Sequence, residues 1–184
     1  MGISEEKSSL RTRYRQERNA RYIEHTFEFL VSSPEFTRAT TIASYMSYGD
    51  EPDTHQLNQA LITAGKTLVL PRINGDQLEW VRWTGEPEGL EKAKKILEPV
   101  GPAISDIGKI EIVIVPALRI DRSGYRLGQG GGYYDRALPQ LAAWSIGLIH
   151  PDEISSEDLP REPWDFPLHA AATPDLILRF QKFN

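Results

Sequence analysis

The stretch RLGQGGGYYDR, Arg126 to Arg136, holds the residues of this chain best suited to chemistry on an anion. Glycine reaches backbone angles closed to other residues and leaves room for a ligand to approach the main chain. Gly128, Gly130, Gly131 and Gly132 can therefore turn successive N–H groups inward as an anion nest. Tyr133 would then open a helix whose free first-turn amides favour phosphate. The flanking Arg126 and Arg136 can each add a charge-assisted hydrogen bond of about 1.5–3 kcal/mol. Asp135 suits a hard cation such as Mg2+, although a first-turn helix carboxylate is an equally ordinary role. The run is not a Walker A loop, because it lacks the lysine and the hydroxyl that follow it. It lacks the first-strand setting of a dinucleotide fingerprint, and the partner motifs of a kinase lid are absent. On glycine content alone, a mobile surface loop and a phosphate nest stand level.

A second group of cations lies far upstream. Lys7, Arg11, Arg13, Arg15, Arg18 and Arg21 crowd one short segment. Lys7 and Arg11 are four apart, so on a helix they share a face and can clamp a polyphosphate. Leu10 and Tyr14 mark a neighbouring stripe that would anchor such a helix. For any single arginine here, a solvated charged face is the plainer reading. Nucleic-acid binding is not expected, since the chain carries a formal net charge of -5 and the segment lacks interleaved stacking aromatics.

The elements that must position these groups follow from periodicity. Ser8 to Leu30 is expected as one helix, from apolar positions at Leu10, Tyr14, Ile23, Phe27 and Leu30. Thr41 to Gly49 has strand composition, and Asp53 or Thr54 would cap a helix running to Ala64 with Gly65 as its stop. Lys66 to Arg72 is expected as a buried strand ended by Pro71, which has no amide proton for the ladder. A strand is expected over Leu78 to Trp83, a short helix within GLEKAKKILEPVG, and the clearest strand within Glu111 to Asp121. The unbroken run IVIV suits a parallel sheet covered on both faces. A helix from Tyr133 to Leu141 and strands in AWSIGLIH and LILRF complete the pattern. The expected fold is α/β: a single-domain layered sandwich over residues 1–184, with a central, mostly parallel sheet flanked by helices. In such folds ligands bind at the carboxyl ends of the strands, where GDEPDT, the Pro71–Arg72 pair and the glycine run all fall.

Composition agrees with an ordinary globular domain: 184 residues, 40 % hydrophobic and 26 % charged. Cysteine is absent, which excludes disulfides, thiolate nucleophiles and Cys-ligated zinc. No apolar run approaches a membrane span and the N-terminus has no signal-peptide core, so a cytoplasmic chain is expected. A monomer is the expected state.

These motifs together resemble the 5-formyltetrahydrofolate cyclo-ligase (methenyltetrahydrofolate synthetase) family. The strongest match is VPALRIDRSGYRLGQGGGYYDRAL, Val115 to Leu138. Supporting matches are Lys7 to Arg11, YMSYGDEPDT at Tyr45 to Thr54, LPR at Leu70 to Arg72, LEP at Leu97 to Pro99, and the segment ending at Asp165. The resemblance implies an ATP- and Mg2+-dependent ring closure of 5-formyltetrahydrofolate to 5,10-methenyltetrahydrofolate, through a phosphorylated formyl group, with release of ADP and phosphate. It implies catalytic roles for Arg126, Gln129 and Tyr133. It implies nucleotide contacts from Lys7, Arg11, Arg126, Leu127, Gly128, Gln129, Gly130, Gly131, Gly132, Tyr133 and Tyr134. Folate contacts are implied for Met46, Glu51, Gln129, Gly130, Gly131, Gly132 and Tyr133, and Mg2+ ligation for Asp135 and Asp165. Trp80 and Trp83 are candidates either for a folate-facing wall or for buried packing, and Glu98 and Asp121 look structural.

The chain also departs from the family pattern. Gln129 stands where a basic residue is usual, which removes a positive charge near the transferred phosphoryl group. Arg119 lies close in sequence and is the expected substitute. Two other readings are a relative that binds folate or nucleotide with little catalysis, and an ATP-using enzyme acting on another formylated substrate.

Overall fold

The structure is a computed structural model and describes residues 2–181. Helix α1 spans Ile3–Arg21, α2 Pro34–Arg38, α3 His55–Thr63 and α4 Tyr133–Ala137. The strands are β1 Thr41–Ala43, β2 Thr67–Asn74, β3 Gln77–Trp83, β4 Leu90–Ala93, β5 Ile96–Pro99, β6 Ile112–Pro116, β7 Arg119–Asp121, β8 Arg126–Leu127, β9 Trp144–Leu148, β10 Ile154–Ser155, β11 Ala170–Ala172 and β12 Ile177–Arg179. A seven-stranded sheet takes the order β12-β11-β9-β6-β1-β2-β3. Its five inner strands run parallel, and β3 and β12 are antiparallel edges. A small sheet, β10-β7-β8, and a hairpin, β4-β5, are added at the side.

The period-two pattern of the strands divides the core. Ile42, Leu68, Leu70, Ile112, Ile114, Ile146 and Leu148 face one side, where Phe27, Leu30, Phe36, Leu57 and Leu61 cover them. Ala43, Val69, Val113 and Val115 face the other, beneath Ala137, Leu138 and Leu141. Helices therefore flank both faces of a mostly parallel sheet, as the alternation of elements requires.

Several local expectations are corrected. The first helix ends at Arg21, and a short 3-10 turn at Glu28–Ser32 follows a break. The inner face of α1 is cationic, so one straight helix cannot also carry Phe27 and Leu30 into the core; the chain breaks and delivers them separately, leaving Ile23 exposed. The first strand stops at Ala43, and Tyr45 to Tyr48 continue as extended chain tied to α3: Thr54 Oγ1 donates to the Tyr45 carbonyl at 2.6 Å and Asn58 Nδ2 at 3.0 Å. Pro71 does not end its strand; it pairs with Trp80 within the β2–β3 ladder. The Val69 carbonyl accepts from Ser44 on the β1 side. Pro71, two residues on, turns its proton-less nitrogen the same way, past the end of β1, so no ladder bond is lost. The helix expected near Lys95 is the β4–β5 hairpin, turned through a left-handed Lys94 (φ 58°). The run from Glu111 to Asp121 divides into β6 and β7, which belong to different sheets.

Candidate functional site

The carboxyl ends of β6, β1 and β2 open into a cavity of about 440 Å³. Pro116, Tyr45, Met46 and Pro71 line its floor. The glycine loop from Gly128 to Gly132 forms one wall, with Arg126, Leu127, Tyr133, Tyr134 and Asp135. Lys7 and Arg11 of α1 close a second side together with Glu162, Trp164 and Asp165. The β4–β5 hairpin adds Ile96, Leu97 and Glu98, and the β2–β3 hairpin adds Ile73 and Leu78. A polar, cationic end thus meets an apolar one, the form expected of a small-molecule site.

The loop conformation is set by its glycines. Gly130 (φ 109°) and Gly132 (φ 69°) occupy the left-handed region. At Gly131 a Cβ would come within 2.8 Å of the Tyr133 ring. Beside Gly128 nothing lies within 4 Å of where a Cβ would sit. Among the described residues, the N–H groups of Gln129, Gly130 and Gly132 have no hydrogen-bond partner. These are free donors at the wall of a cavity, which is what an anion nest requires. The buried Arg126 adds another: its Nη1 donates to Asp135 Oδ1 at 2.6 Å, while its Nε has no partner. A buried donor of this kind is satisfied by a ligand or by solvent.

Lys7 is only 5 % exposed. Its ammonium pairs with Asp165 and, at 3.2 Å, with Glu162 Oε2. Asp165 also accepts from the Glu162 N–H at 2.7 Å. Asp135 and Asp165 therefore both face the cavity, each already beside a cation. No cluster of three or more metal-ligating side chains occurs among the described residues. That donor set fits Mg2+, which takes one or two protein carboxylates and completes its shell with phosphate oxygens and water.

Glu51 lies behind the lining, 8 % exposed. Its carboxylate accepts from the Tyr48 N–H at 3.1 Å, within the turn that carries Met46 and Tyr48 to the cavity. Burial pushes its carboxyl up to about 7, against the hydrogen bond from Tyr48 and the charge of Arg18, which favour the ionised form. The nearby phenols of Tyr45 and Tyr134 are raised by burial and by Glu51, so both remain donors. The Tyr45 hydroxyl is buried without a protein partner in a residue that lines the cavity.

The remaining candidates have structural places. Asp121 is fully buried and accepts from the N–H groups of Ser123, Tyr125 and Leu159 and from Arg161. Trp80 and Trp83 are core residues outside the lining, and Glu98 accepts from the Ile73 N–H at 3.1 Å. Arg119 does not substitute for a charge at residue 129. It donates to the Asp152 carbonyl and to Glu17, lies 4.3 Å over the Tyr14 ring and faces a separate, smaller cavity. Residue 129 is met instead by Arg15, whose Nε reaches Gln129 Oε1 at 2.9 Å and whose Nη2 reaches its carbonyl at 2.8 Å. Sequence reasoning missed Arg15, Tyr45, Glu162, Trp164 and the hairpin wall. The signal for Arg15 was present in the helical spacing of Lys7, Arg11, Arg15 and Arg18, which places four cations along one face.

The profile of the 5-formyltetrahydrofolate cyclo-ligase family matches residues 3–174. The chain belongs to that family. It is 31 % identical over 156 residues to the Escherichia coli 5-formyltetrahydrofolate cyclo-ligase, covering 80 % of this chain and 85 % of the relative. To the Mycolicibacterium smegmatis 5-formyltetrahydrofolate cyclo-ligase it is 34 % identical, covering 73 % of each chain. The solved structure of the Aquifex aeolicus 5,10-methenyltetrahydrofolate synthetase superposes with a TM-score of 0.80 at 28 % identity, over 97 % of this chain and 94 % of that one. A Mycoplasma pneumoniae 5,10-methenyltetrahydrofolate synthetase shares the fold, with a TM-score of 0.65 at 21 % identity, over 90 % of this chain and 96 % of that one. The matched range includes both the glycine loop and the Lys7–Arg11 pair, which line the same cavity here.

Proposed function

We propose that this protein is an ATP-dependent ligase that closes 5-formyltetrahydrofolate to 5,10-methenyltetrahydrofolate and releases ADP and phosphate. The observation that carries the reading is the glycine loop with unpartnered amides, held by Arg11 and lining, with Lys7, a cavity that is apolar at its other end. Family membership supplies the substrate class.

A carbonyl oxygen is a poor leaving group until it is phosphorylated. The formyl oxygen attacks the γ-phosphorus of ATP and the bond to ADP breaks. N10 then attacks the formyl carbon, loses its proton, and the oxygen departs as part of inorganic phosphate. Phosphoryl transfer of this kind is accelerated by positioning and by charge stabilisation, with no side-chain nucleophile. The loop amides and Arg126 supply donors to the transferred group, Lys7 and Arg11 hold the polyphosphate, and Gln129 and Tyr133 flank the reacting centre. Asp135 and Asp165 would hold Mg2+, which would supply charge neutralisation to the phosphates. Met46 and Tyr45 form the folate side, with Glu51 behind them.

The protein acts as a monomer in the cytoplasm and does not bind nucleic acid. Its net charge of -5 supports the last point, and no helix among the described residues is long and apolar enough to cross a membrane. The test is optical: purified protein with Mg·ATP and 5-formyltetrahydrofolate should develop the methenyl chromophore. Folded protein that gives no ATP-dependent signal would refute the reading.

A further inference from the structure

The three arginines gripping the glycine loop do more than cover it. Arg11 Nε donates to the Gly128 carbonyl at 3.0 Å, Arg15 Nη2 to the Gln129 carbonyl at 2.8 Å, and Arg136 Nη2 to the Gly131 carbonyl at 2.9 Å. In a trans peptide the C=O and the following N–H point in opposite directions. Pinning these three carbonyls therefore turns the N–H groups of Gln129, Gly130 and Gly132 away from the arginines, and none of the three has a protein partner among the described residues; the N–H groups of Gly128 and Gly131, which follow carbonyls that no arginine holds, have none either. Left-handed glycines such as Gly130 and Gly132 would otherwise flip between peptide orientations at low cost.

We infer that Arg15 is a positioning residue for the phosphate nest: anchored on α1, it fixes the peptide between Gln129 and Gly130 and sets a cation beside the neutral Gln129. Arg11 and Asp135 line the cavity, but Arg15 does not. It acts through residue 129, holding side chain and main chain at once with one planar fork. Exposed, and with no other hydrogen-bond partner among the described residues, Arg15 has no evident role in the core. This inference rests on the reading of the cavity as an ATP site.

Arg15→Met and Arg15→Lys test it by steady-state kinetics with each substrate varied in turn. Arg15→Met should raise KM for ATP about tenfold, the scale of one charge-assisted bond, with KM for 5-formyltetrahydrofolate within about twofold and the melting midpoint unchanged. Arg15→Lys, able to reach one of the two oxygens, should fall between. An unchanged KM for ATP, or equal rises for both substrates, overturns the inference. A second readout needs no nucleotide: backbone 15N order parameters of Gly130 and Gly132 in the ligand-free protein should fall in Arg15→Met, and unchanged values overturn the inference. Failure of the unaltered protein to use ATP would strike the proposed function, while the order parameters would still judge the positioning role.

Discussion

Replacing Glu51 by glutamine isolates one buried charge and gives it a sign. In the unfolded chain this carboxyl titrates near 4.5, and in the folded protein burial raises it to about 7. Between these values the folded state retains a proton that the unfolded state has released. Folding stability therefore falls as pH rises from about 4.5 to about 7 and levels off above, while below 4.5 the group contributes no penalty. At 1.36 kcal/mol per pH unit, the full penalty at pH 8 is on the order of 3 kcal/mol. Glutamine keeps an oxygen for the Tyr48 N–H and carries no charge. Urea denaturation of both proteins from pH 4.5 to 8 measures the difference, in which other titrating groups largely cancel. Glu51→Gln should match the parent near pH 4.5 and become progressively more stable toward pH 8. The same variant should raise KM for 5-formyltetrahydrofolate, since a charge kept at a cost in stability points to a binding role. A stability difference that does not vary with pH would refute the burial argument.

Further outcomes follow from the site. Gly131→Ala should lose most activity, because its Cβ meets the Tyr133 ring at 2.8 Å, whereas Gly128→Ala has open space and should leave the melting midpoint of the ligand-free protein unchanged; activity assays and thermal melts of both variants check this. Tyr45→Phe removes an unpartnered buried hydroxyl, so stability should hold or rise while KM for 5-formyltetrahydrofolate increases about two- to tenfold. Asp165→Asn takes one charge from the Lys7 network and should raise the Mg2+ concentration needed for half-maximal rate, read from a magnesium titration. Glu153→Gln leaves the buried Arg18 guanidinium without its carboxylate and should cost about 3–5 kcal/mol in denaturant unfolding.

The layered α/β arrangement was legible because IVIV and its neighbours alternate with helical segments; the glycine run marked the loop that lines the cavity, while its composition alone left a mobile loop and a phosphate nest level. The errors have physical causes. Apolar spacing carried the first helix through Phe27 and Leu30, but four cations at helical spacing decide its inner face, and they dock through carboxylates and carbonyls rather than through Leu10 and Tyr14. GLEKAKKILEPVG has helical composition, yet it pairs with itself as a hairpin against the neighbouring β2–β3 ladder; tertiary pairing overrides propensity there. The Arg119 expectation rested on nearness in sequence, while the guanidinium that reaches Gln129 comes from 114 residues away. Contacts at that separation leave no local trace.

The most direct test of the account follows the formyl oxygen. With 5-formyltetrahydrofolate labelled by 18O at the formyl group, ATP and Mg2+, the account predicts one 18O atom in the inorganic phosphate for each methenyl product formed. Methenyl product with the label recovered in water and none in phosphate would contradict attack of the formyl oxygen on the γ-phosphorus at the glycine loop.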